Sequence, residues 1–92
     1  MVYYVKKEVS TFSVTLKKDV DDNTARTHID SIKKTGVDVT DVSMDKPISY
    51  TVNVPDNAVD SFKLEFYNNQ LVETISAKGM VTEKGKSLLE KK

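Results

Sequence analysis

The stretch ISYTVNVPD, residues 48–56, decides how the rest of the chain is read. Ile48, Tyr50, Val52 and Val54 alternate with Ser49, Thr51 and Asn53, the period-two pattern of a strand with one buried and one open face. Pro55 and Asp56 then open a helical pattern in which Val59, Phe62 and Phe66 recur at i, i+3 and i+7, up to the turn-forming pair Asn68 and Asn69. Working outward, TFSVTLKK repeats the alternation, with Phe12, Val14 and Leu16 on one face and Ser13, Thr15 and Lys17 on the other. Any of Asp21, Asp22 or Asn23 can cap a helix whose apolar stripe is Ala25, Ile29 and Ile32 and whose stop is Gly36. In VDVTDVSM, Val37 and Val39 are in one phase and Val42 and Met44 in the other, which predicts a bulge near Asp41 in an edge strand. A fourth strand spans residues 71–75.

The order is βαββαβ. Right-handed crossovers without crossing connections favour an α+β, ferredoxin-like fold: a four-stranded antiparallel sheet, two helices on one face, and the first and third strands at the centre. The expected core is Phe12, Val14, Leu16, Ile29, Ile32, Tyr50, Val52, Phe62 and Phe66. At 92 residues the chain is expected to be a single domain over 1–92, with 1–11 and 85–92 as extensions; the stretch VYYV in the first could add an edge strand or lack order.

Composition narrows the function classes. Fourteen Lys and Arg balance 14 Asp and Glu, so no net field draws the chain to nucleic acid or an anionic membrane. The absence of cysteine excludes disulfides and thiolate metal sites, and the start MVYYVKKEVS lacks the apolar run of a secretory signal, so a cytoplasmic location is expected. Asp19, Asp21, Asn23 and Asp30 fall at positions 1, 3, 5 and 12 of a calcium loop, but Thr24 replaces the obligatory Gly and a strand precedes it where a helix should be, so helix capping explains the acids. His28, the sole histidine, is expected as a solvated flank of the first helix, and one such residue supports no nucleophile–base set. No cofactor or metal is expected, and no catalysis.

On the proposed sheet, the face away from the helices carries Ser13, Thr15, Ser49, Thr51 and Asn53 at its centre, all short, polar and uncharged. Such a face is either plain solvated sheet or a flat docking surface with no long charged side chain to desolvate. RNA-binding domains of the same element order place base-stacking aromatics there, and acylphosphatases need an arginine to hold phosphate, whereas Arg26 lies in the first helix.

FSVTLKKDV, the helix after it, YTVNVPD and LVETI…GMVT resemble, in order and spacing over residues 12–84, the subtilisin propeptide-like inhibitor family: prodomains of subtilisin-like serine proteases and the free-standing inhibitors related to them. The resemblance implies a non-enzymatic inhibitor, a monomer when free, whose partner is a subtilisin-like serine protease and which can also assist that protease's folding. It implies that the open sheet face, with Ser76 and Lys78 at its margin, packs on two surface helices of the enzyme. It further implies that Met80, Val81, Thr82, Glu83 and Lys84 lie product-like in the substrate cleft, Val81 in the apolar fourth subsite and Lys84 beside the catalytic serine. Where the family carries acids before the tail, this chain has Ser76, Ala77 and Lys78. The tail is expected to belong to neither core face, so that truncation after Ile75 abolishes inhibition but leaves the domain folded, whereas trimming residues 85–92 preserves or strengthens inhibition. The alternative is an interaction domain of the same fold with another protein target.

Overall fold

The computed structural model describes residues 8–67 and 70–89. Strand β1 (Val9–Leu16) leads to helix α1 (Asp22–Lys33), strands β2 (Asp38–Ser43) and β3 (Ser49–Pro55), and a short 3-10 turn (Asp56–Ala58) running into helix α2 (Val59–Tyr67). Strand β4 (Val72–Ala77) follows, and a second 3-10 turn (Gly85–Leu88) comes after it. All pairings are antiparallel and the strand order is β2-β3-β1-β4, the ferredoxin-like arrangement with β1 and β3 central.

Register follows from the alternation. Phe12 pairs with Val52 and Val14 with Tyr50, so these four side chains share the face beneath the helices, where each is buried. Ser13 pairs with Thr51 on one side and Ser76 on the other, which puts the short polar set together on the opposite face. A one-residue slip would exchange the two faces, so the apolar side chains hold the register. All nine expected core residues are buried, joined by Val20, Ala25, Val37, Ile48, Val54, Ala58, Val59 and Val72.

The helix ends are built as their residue types dictate. Asp21 caps α1 by accepting a 2.7 Å hydrogen bond from the Thr24 N–H, and that bond holds its carboxyl below the usual range. Gly36 closes the exit at φ 95°, where an L side chain is strained. The irregularity in β2 is a register shift between Thr40 and Ser43, with Asp41 at φ 50° and Val42 largely exposed. The VYYV stretch and the Asn68–Asn69 turn lie outside the described residues.

Two expectations are corrected here. His28 is 3% exposed, not a solvated flank. It falls at i+3 from Ala25, inside the apolar stripe, and its Nε2 lies 2.8 Å from the Tyr50 hydroxyl. The C-terminal segment is likewise not outside the core: Leu88, in the presumed extension, is fully buried, and Val81 packs against the same cluster.

Candidate docking face and C-terminal tail

The open face is tied together by its own polar groups. The Thr11 hydroxyl donates to Asn53 Oδ1 at 2.8 Å, bridging β1 and β3. From the end of β4, Lys78 reaches across β1, donates from Nζ to Thr51 Oγ1 at 2.8 Å and pairs with Asp41 Oδ2 at 3.5 Å. This explains a further correction: Thr51, expected to face solvent, is 5% exposed, consistent with cover from the long Lys78 side chain. The bulge matters at this point, because Asp41, in a left-handed conformation that Asp tolerates, supplies the carboxylate that receives the ammonium. Ser13, Thr15, Ser49 and Asn53 are half-buried, and Ser76 and Lys78 are exposed. The seven expected docking residues therefore share one face, with Thr51 under a charged strap.

The tail begins by extending the sheet. Lys78 N–H donates to the Thr11 carbonyl at 2.9 Å, and Thr11 N–H donates to the Met80 carbonyl at 2.9 Å, so pairing with β1 continues past β4. Met80 is 70% exposed. The chain then turns inward. Thr82 is 8% exposed and its hydroxyl donates to Asp56 Oδ1 at 2.6 Å while accepting the Gly85 N–H at 2.9 Å. A threonine hydroxyl has one proton, so the Ser10 hydroxyl 3.1 Å away is the donor of that pair, and Ser10 Oγ in turn accepts the Thr82 N–H at 2.9 Å. Among the described residues no buried side-chain polar atom is left without a partner.

Gly85 makes the closure possible. A Cβ there would overlap Ser10 Oγ and lie 2.8 Å from Ser10 Cβ, so no larger residue fits. The 3-10 turn that follows inserts Leu88 into the core. Of the five residues expected to lie in an enzyme cleft, Met80 and Glu83 are exposed, Val81 is half-buried, Thr82 is buried, and Lys84 makes a 3.8 Å ion pair with Asp60.

Ser10 and Asp56 are residues that sequence reasoning missed. Ser10 lies in phase with Phe12, Val14 and Leu16, and a short polar residue at a core-phase position is the one available signal that a polar partner covers it. No protein-family model, no curated protein and no solved structure matches this chain. Among the described residues, no helix is long and apolar enough to cross a membrane.

Proposed function

We propose that this chain is an inhibitor of a subtilisin-like serine protease that docks its open sheet face on the enzyme and offers residues 80–84 to the substrate cleft. The observation that carries this reading is the open face itself: Ser13, Thr15, Ser49 and Asn53 are short, uncharged side chains set in register on β1 and β3, and the Lys78–Asp41 pair is the charge that crosses them. Short side chains lose little rotamer freedom on docking, and the Lys78 ammonium on the face is already offset by Asp41, which favours a standard contact of about 800 Å² per partner. The ordered resemblance over residues 12–84 names the class of enzyme. Lys78 stands where the family has an acid, but Asp41 offsets its charge and Thr51 holds its ammonium over the sheet, so it does not oppose a positive helix end as a free lysine would.

The tail begins at the same margin of the sheet, since the strand pairing runs on to Met80. An extended segment leaving there can add main-chain hydrogen bonds to an enzyme's edge strand. Inhibition of this kind needs no catalytic group, cofactor or metal, and one monomer suffices for one protease. The neutral surface suits neither nucleic acid nor membrane as a partner, and the cysteine-free composition suits a cytoplasmic or vacuolar setting. Assistance to the protease's own folding follows from the same docking. A second reading, in which the face binds another protein and the tail stays closed, is favoured by the burial of Thr82 and Leu88.

The test is inhibition of a subtilisin-type protease by the full chain and by Ser13→Arg. Ser13 sits at the centre of the open face and away from the core, so the variant should melt like wild type and inhibit at least about tenfold less well, about 1.4 kcal/mol. Equal inhibition by the folded variant excludes the sheet face, and no inhibition by wild type overturns the reading.

A further inference from the structure

We infer that residues 82–88 form a latch that opens as one unit, short of global unfolding, and that its opening frees residues 82–84 to carry the tail that begins at Met80 into a partner; the binding half of the inference rests on the proposed protease reading. The closed latch and an extended, cleft-bound tail exclude one another because they use the same main-chain groups. In the closed state Thr82 N–H is held by Ser10 Oγ, and the Thr82 carbonyl accepts from Lys86 N–H at 3.0 Å. The Lys84 carbonyl accepts from the Ser87 side chain at 2.9 Å, and Lys84 itself is helical at φ −67° and ψ −37°. An extended segment would need those donors and acceptors free to pair with an enzyme's edge strands.

The closed state is built to be all-or-none. Thr82 Oγ1 has both lone pairs and its proton in use, so losing any partner weakens the rest. Gly85 fits against Ser10 only when the turn is in place, and the same turn delivers Leu88 to the core. Its polar anchors on the rest of the molecule are few, Ser10 at the start of β1, Asp56 before α2 and Asp60 through an exposed ion pair, and its one fully buried apolar anchor is Leu88. The sheet and both helices pack through the other buried side chains, so this terminal segment belongs to the low-stability end of the structure. A ligand that binds only the open form has its apparent affinity reduced by the open fraction.

The decisive variant is Gly85→Ala. Gly85 has no left-handed backbone to protect, so the added methyl acts through its overlap with Ser10 in the closed form and costs nothing in the open one. Leu88→Ala serves as a second variant by a different route. The experiment combines amide hydrogen exchange at Thr82, Gly85 and Lys86 with inhibition of a subtilisin-type protease, on the full chain throughout. In wild type the three amides should exchange at a common opening rate, at least about tenfold faster than Val14 and Val52. Gly85→Ala should abolish their protection together, keep β1 and β3 the slowest part of the molecule, and lower the inhibition constant by the factor through which the open fraction rises.

Latch amides that exchange only at the rate of β1 and β3 overturn the inference. So does a Gly85→Ala chain whose latch is open while its inhibition constant equals that of an inhibiting wild type. If neither chain inhibits, the protease reading falls, and exchange alone decides the latch: joint loss of protection sustains it, and independent loss overturns it.

Discussion

His28 shows what one residue's surroundings do to its chemistry. Burial beside Tyr50 pushes its pKa down to about 4, and the same burial pushes the Tyr50 hydroxyl up. The unfolded chain, with an ordinary histidine near 6.5, takes a proton that the folded chain refuses between pH 6.5 and 4. Stability is therefore present above pH 6.5 and is lost as pH falls through that window, by at most about 1.4 kcal/mol per pH unit, levelling off below 4. Tyr50 acts with the opposite sign at the alkaline end, where the unfolded chain releases its proton first. Urea midpoints at pH 7 and pH 4.5 should differ for wild type and differ less for His28→Gln. Equal pH dependence in the two proteins would show that His28 is not the group responsible.

At the scale of the element, α2 contributes two buried aromatic rings to the core. Phe62 is fully buried and stacks on Phe66 with ring centroids 5.5 Å apart. Phe62→Ala should cost about 3 to 5 kcal/mol, most of the stability of a domain this size, and should be unfolded or nearly so in a thermal melt. A variant that melts like wild type would mean that α2 does not hold the sheet. The bulge in β2 illustrates a different kind of control. VDVTDVSM announces it by switching phase, but only the fold shows its use, which is to place Asp41 against Lys78.

The molecule as a whole is closed by its last described turn. Deleting residues 85–92 removes Leu88 from the core, and burial of one leucine contributes roughly 1.5–3 kcal/mol. The truncated chain should melt several degrees lower, against the expectation that the tail belongs to neither core face. Inhibition should nevertheless be preserved or strengthened, since a chain ending at Lys84 has lost the latch. Unchanged melting would mean that Leu88 contributes nothing to the core.

The elements and their order were legible in short-range patterns. The alternations in TFSVTLKK and ISYTVNV, the stripe Ala25, Ile29 and Ile32, and the Asp and Gly at the ends of α1 are patterns within a dozen residues, and steric rules turn βαββαβ into one sheet with β1 and β3 central. The polar open face was legible for the same reason, because period two assigns every side chain to a side. That His28 lies inside, that Lys78 covers Thr51 and that Thr82 is bound to Ser10, 72 positions away, emerges from the packed fold alone. Each depends on which surfaces meet once the sheet has formed. Local spacing says where a side chain points along its own element; what covers it is a property of the packed whole.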